Sequence, residues 1–86
     1  MPRSLPSPAR GFRLDFAPLR ARRLELGVSQ ADLAKAIGVH RRTLIRTEQN
    51  RTAPTAAQVV ALARALGTPV YLLYEVMDTA PRDRAG

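Results

Sequence analysis

Between residues 14 and 77 the apolar positions recur mostly at helical spacing, and the breaks between runs carry residues that start or stop helices. Leu33, Ala34 and Ile37 share one face of a short segment opening at Gln30. Ser29 stands where an N-cap would accept a backbone hydrogen bond, with Asp32 three residues on as in a capping box. Gly38 supplies the left-handed backbone that ends this segment, and Val39 closes the turn against the core. A second segment starts at about His40, with Leu44 and Thr47 inward and Arg41, Arg42, Thr43, Ile45 and Arg46 outward. Gln30 to Glu48 therefore reads as helix, tight turn, helix.

The flanking segments carry the same punctuation. Asp15 is placed as an N-cap and Pro18 suits a first helical turn, so a first helix is predicted from about Phe16 to Leu26, with Leu19, Arg23 and Leu26 near one face and Gly27 as its stop. A polar loop follows Glu48, and Asn50 suits a left-handed position within it. Thr55 with Gln58 forms a capping box for a helix to about Leu66, with Val59, Leu62, Ala63 and Leu66 inward and Gly67 as its stop.

Val70 to Met77 fits two periods. Val70, Leu73, Tyr74 and Met77 make a helical face behind Thr68 and Pro69, while Val70, Leu72, Tyr74 and Val76 alternate as in a strand. The cap chemistry favours a helix. The expected fold is thus all-α with five helices, the strand remaining the alternative for the last element. Either form leaves more apolar surface than a small monomer needs. Val70, Leu72, Leu73 and Val76 are accordingly expected at a homodimer contact.

Composition narrows the chemistry. Residues 1–13, with Pro2, Pro6 and Pro8 among Ser, Ala and Arg, are expected to be a disordered basic arm, 14–77 the folded domain, and 78–86 a disordered charged tail. The formal net charge is +7, and arginine supplies all but one of the positive side chains, Lys35 being the exception. Guanidinium groups favour bidentate contacts to phosphate and guanine, so an anionic partner is expected. There is no cysteine, which removes disulfides, thiolate metal sites and cysteine nucleophiles. His40 is the single histidine, without neighbouring ligands or a nucleophile, so neither a metal nor a catalytic role is expected for it; it suits a helix cap or a phosphate contact. No glycine-rich phosphate cradle or catalytic triad pattern is present, and the expectation is a protein that is not an enzyme and carries no cofactor. No stretch has the length of a membrane span or the apolar run of a signal peptide, so a soluble, cytoplasmic protein is expected.

The ordered set Ser29-Gln30, Leu33-Ala34, Gly38-Val39, Leu44 and Glu48 resembles the phage-repressor helix-turn-helix family (Cro/C1 type, or Xre). The resemblance extends upstream through Leu19, Arg23, Leu24, Leu26, Gly27 and Val28, and downstream through Pro54, Val59, Leu62, Ala63, Leu66 and Gly67, covering roughly residues 15 to 77. It implies a lambda-repressor-like domain whose second motif helix enters the major groove of double-stranded DNA. His40, Arg41, Arg42, Thr43, Ile45 and Arg46 would then face bases and phosphates, Ile45 being placed to meet a thymine methyl. Gln30 is similar to the family's phosphate-clamping glutamine. Arg51 and Lys35 are further candidates, which could equally be solvated. The resemblance also implies a structural ion pair between Arg23 and Glu48. Two positions depart from the family pattern: Asn50, where glycine is usual, and Thr47, where a larger aliphatic residue is usual. The function implied is that of a transcriptional regulator, a repressor, acting as a homodimer on a palindromic operator. The alternative is a HipB-like antitoxin that holds a toxin protein and regulates its own operon.

Overall fold

The computed structural model describes residues 12–78. Within them the order is strand β1 (Phe12–Asp15), helices α1 (Ala17–Glu25), α2 (Gln30–Ile37), α3 (Arg41–Glu48) and α4 (Ala56–Leu66), a single 3-10 turn (Val70–Leu72), and strand β2 (Glu75–Asp78).

Each helix begins and ends where the side chains dictate. Ser29 Oγ accepts the Asp32 N–H at 3.0 Å and opens α2. Thr55 Oγ1 accepts the Gln58 N–H at 3.1 Å, while Gln58 Oε1 accepts the Thr55 N–H at 3.0 Å, completing a reciprocal box on α4. Gly38 closes α2 at φ 76°, where a side chain would be strained. Its own N–H and that of Val39 return to the carbonyls of Lys35 and Ala34 at 3.2 and 3.0 Å, so two of the last carbonyls of α2 are satisfied inside the motif turn.

The start of α1 differs from expectation. The helix begins at Ala17, with Phe16 rather than Asp15 in the capping position, and Phe16 is buried in the core. Asp15 still serves the helix end, since its Oδ1 accepts the Ala17 N–H at 3.0 Å. The helix needs an anchor as well as a cap here. Phe16 supplies it by packing against Tyr74, the ring centroids 5.9 Å apart.

The core joins Leu19 of α1, Leu33 and Ala34 of α2, Leu44 of α3, Leu62, Ala63 and Leu66 of α4, and Phe16 and Leu73 from the connecting segments. Leu14, Val28, Ile37, Val39, Val59, Val70 and Tyr74 seal its margin. At roughly 1.5–3 kcal/mol for each fully buried large aliphatic side chain, this cluster is the main force holding four short helices together.

The last element is not a fifth α-helix. Val70–Leu72 makes one 3-10 turn, and Glu75–Asp78 pairs antiparallel with Phe12–Asp15, setting Arg13 opposite Met77, Leu14 opposite Val76 and Asp15 opposite Glu75. The alternation predicted for a strand over Val70 to Val76 therefore applies only to its end. A strand forms where a partner offers unpaired backbone groups, and that partner comes from the other end of the domain, in a segment whose first two residues fall within the expected arm. Leu73, between the turn and β2, accepts the Leu19 N–H on its carbonyl at 3.1 Å, which ties the C-terminal segment to the first turn of α1. The boundary at 13/14 thus falls inside β1. Residues 1–11 of the expected arm and 79–86 of the expected tail lie outside the described residues.

Leu73 also leaves the set expected at a dimer contact, because it is fully buried and belongs to the core. Val70 is half-buried against that core. Leu72 and Val76 remain outward, 53% and 64% exposed, and Tyr71 joins them at 68%. No helix among the described residues is long and apolar enough to cross a membrane.

Candidate nucleic-acid interface

The turn between α2 and α3 fixes how α3 sits. Leu44 and Thr47 point inward and are buried, and Arg41, Arg42 and Arg46 are exposed. Thr43 and Ile45 are half-buried at the edges of the outward face. Thr47 fits its inward position because its Oγ1 donates to the Thr43 carbonyl at 3.1 Å, so the hydroxyl is satisfied within the helix while its methyl packs. The rotation of α3 therefore keeps the three arginines on one open side. His40 occupies the N-cap of α3, with Nδ1 accepting the Arg42 N–H at 3.3 Å, and the exposed ring stands beside Arg41 at the head of the helix.

The end of α3 is bolted to α1. Arg23 Nε donates to Glu48 Oε2 at 2.6 Å and Nη2 to Oε1 at 3.0 Å, a two-pronged contact in which both side chains are buried. Arg23 Nη1 donates to the Val28 carbonyl at 2.9 Å, so the guanidinium also holds the loop before α2. A buried charge without a partner would cost several kcal/mol, and here both members are engaged. Among the described residues no buried side-chain nitrogen or oxygen lacks a partner.

Gln30 belongs to this network, which the sequence pattern did not reveal. Its Nε2 donates to Glu48 Oε1 at 3.1 Å, and only the amine end of the amide can donate to a carboxylate. One N–H is thus committed to Glu48, and among the described residues the second has no hydrogen-bond partner. The side chain is half-buried and oriented at the amino end of α2. Around it, Arg20, Arg23, Ser29, Gln30, Ala31 and Arg41 line an open, polar groove of about 480 Å³. Arg20 is the residue sequence reasoning passed over. Its signal was present: it lies three positions before Arg23, on the same side of α1.

Asn50 terminates the other end of α3. Its backbone is left-handed, φ 60°, as the expected turn requires. Its side chain does more than tolerate that turn. Oδ1 accepts the Phe16 N–H at 2.8 Å and Nδ2 donates to Asp15 Oδ1 at 2.9 Å, which joins the α3–α4 loop to the start of α1. The Asn50 amide first, and the Ala17 N–H second, hold the Asp15 carboxyl below its ordinary pKa; partial burial opposes this and the Arg13 charge assists it. Arg51 follows in the loop and is exposed, and Lys35 projects outward from α2. Among the described residues no cluster of three or more histidine, cysteine or carboxylate side chains could hold a metal ion.

Comparison with known proteins agrees with this geometry. Residues 19–73 match a family model described as helix-turn-helix. The chain is 43% identical over 49 residues to an uncharacterized HTH-type transcriptional regulator from Methanothermobacter thermautotrophicus, covering 57% of this chain and 71% of that protein. Among solved structures, the P22 c2 repressor in complex with a synthetic operator superposes with a TM-score of 0.62 at 36% identity, over 66% of this chain and 88% of that one. The clp gene regulator ClgR from Corynebacterium glutamicum gives a TM-score of 0.63 at 31% identity, over 64% of this chain; the match spans only 58% of ClgR. Motif turn, buried Arg23–Glu48 pair and matched family model converge: the chain belongs to the Cro/C1-type (Xre) family of helix-turn-helix transcriptional regulators.

Proposed function

We propose that this protein is a sequence-specific DNA-binding repressor that acts as a homodimer on a two-fold related operator. The observation that carries the proposal is the outward face of α3, where Arg41, Arg42 and Arg46 are exposed on a helix locked on its inner side by Leu44, Thr47 and the Arg23–Glu48 pair. An α-helix fits the major groove, and arginine reads guanine through its O6 and N7. Arg42 and Arg46, four residues apart, reach the same stretch of groove, while Arg41, His40, Gln30 and Arg51 serve the backbone on either side. Thr43 and Ile45 complete the reading face, the first by hydrogen bonding and the second against a thymine methyl.

Dimerisation uses the exposed Tyr71, Leu72 and Val76 together with the open edge of the two-stranded sheet. Two reading helices are then set about 34 Å apart, one DNA turn, and a modest contact becomes specific for a palindrome. Such a regulator works in the cytoplasm, needs no cofactor and performs no catalysis. The antitoxin reading draws on the same apolar surface, with a toxin in place of the second copy.

Selection of the purified protein on random duplexes tests the proposal. A recovered palindrome bound more tightly than unrelated DNA supports it, and equal affinity for every duplex refutes sequence choice. A partner protein that co-purifies at fixed stoichiometry would favour the antitoxin reading.

A further inference from the structure

Strand β1 carries an arginine to the side of the domain where α3 ends. Asp15 reaches across to Asn50, with Nδ2 to Oδ1 at 2.9 Å, so that face of β1 is turned toward the α3–α4 loop. Side chains two apart on a strand project to the same face, which sets Arg13 on the side of Asp15. Arg13 and Arg51 both line one groove of about 310 Å³ whose floor is apolar, with Leu14, Phe16, Pro54 and Val59. Both arginines are exposed, and among the described residues neither forms an ion pair. Two carboxylates share this face of the sheet, Asp15 and, opposite it, Glu75; Asp15 is engaged by the Asn50 amide and the Ala17 N–H and also feels the Arg13 charge.

Two guanidinium groups on one groove offer several N–H donors to an anion with several acceptor oxygens. Their position says which anion. Arg20 and Arg41 line the polar groove at the amino end of α3, and Arg13 and Arg51 line the groove beyond its carboxyl end. An eight-residue helix is about 12 Å long, comparable with the roughly 12 Å width of the major groove, whose two rims are phosphate backbones.

We propose that Arg13, carried on β1, joins Arg51 in holding a DNA backbone phosphate on the groove rim opposite Arg20 and Arg41, which makes the N-terminal strand part of the DNA interface. This rests on the DNA-binding reading of α3 and adds a positioning residue outside the helix-turn-helix.

The test titrates the full chain, as wild type, Arg13→Gln, Arg13→Lys and Arg46→Ala, with a duplex recovered by the selection and with one of unrelated sequence, over a range of salt. Arg13→Gln is expected to weaken both duplexes alike, by roughly threefold to tenfold, and to reduce the slope of log affinity against log salt by about one. Arg13→Lys keeps the charge and should restore that slope, which separates a phosphate contact from damage to β1. Wild-type affinity and slope in Arg13→Gln, alongside lost binding in Arg46→Ala, would overturn the proposal and leave the α3 reading standing. So would a loss in Arg13→Gln that Arg13→Lys does not rescue. No binding of either duplex by the wild-type chain would overturn both.

Discussion

Asn50 Oδ1 accepts the backbone N–H of Phe16 at 2.8 Å, and through that bond the loop leaving α3 fixes the start of α1. The left-handed backbone at Asn50 would suit glycine better, so what the asparagine adds is what its side chain reaches. Asn50→Gly should keep the turn and lose the bridge, and Asn50→Ala should lose both. Denaturant unfolding is expected to rank wild type above Gly and Gly above Ala, with the first step about 1–2 kcal/mol. A glycine variant as stable as wild type would show the bridge to be idle.

The Arg23–Glu48 pair is buried on both sides, so removing one partner strands the other. Arg23→Met should destabilise by roughly 3–5 kcal/mol, and Glu48→Gln by less because the amide still accepts one hydrogen bond. Adding Glu48→Met to Arg23→Met should cost less than the two single changes summed, since no unpaired charge remains. Additive losses in thermal and urea unfolding would contradict a coupled pair.

Asp15 gives the fold a pH dependence of definite sign. Its carboxyl is held below the ordinary value of 3.8 in the folded state, by Asn50 and then by the Ala17 N–H. Its contribution is therefore complete above that value and is lost as the pH falls through the lowered folded pKa. Partial burial of the carboxyl opposes the two hydrogen bonds and the Arg13 charge assists them. Urea unfolding followed into acid should show a steeper loss in the wild type than in Asp15→Asn. Parallel curves would mean that Asp15 titrates as it does unfolded.

On DNA, Arg42→Ala and Arg46→Ala should each cost on the order of 1–3 kcal/mol at the selected site and much less on unrelated duplexes. Gln30→Ala should weaken all duplexes alike and also lower the unfolding midpoint, because Glu48 loses a donor. Titration and thermal unfolding of the same samples separate these effects. Unchanged affinity after removal of both arginines would place the reading face elsewhere.

The outward pair Leu72 and Val76 predicts the oligomeric state. Leu72→Lys with Val76→Lys should give a stable monomer that binds half-sites weakly, whereas Leu73→Ala should cost about 2–5 kcal/mol of stability through a cavity in the core. Sedimentation of the wild type and of the double variant decides this. Equal masses would move the contact away from this surface.

The sequence alone determined α2, α3 and α4 to within a residue or two, because Ser29, Gly38, Thr55, Gln58 and Gly67 act on backbone groups within their own turn. It also determined the outward set on α3, since helical spacing and the inward Leu44 leave the arginines only one side. The tertiary structure decided whatever depends on a partner distant in the chain. Val70 to Met77 became a turn and a strand because β1 offered unpaired backbone groups, and no local period encodes that offer. Gln30 shares Glu48 with Arg23, and Asn50 spans to Phe16 and Asp15, because folding brings one carboxylate and one amide within reach of several donors and acceptors. Hydrogen-bond capacity is written in each side chain; which distant group fills it is settled only when the helices pack.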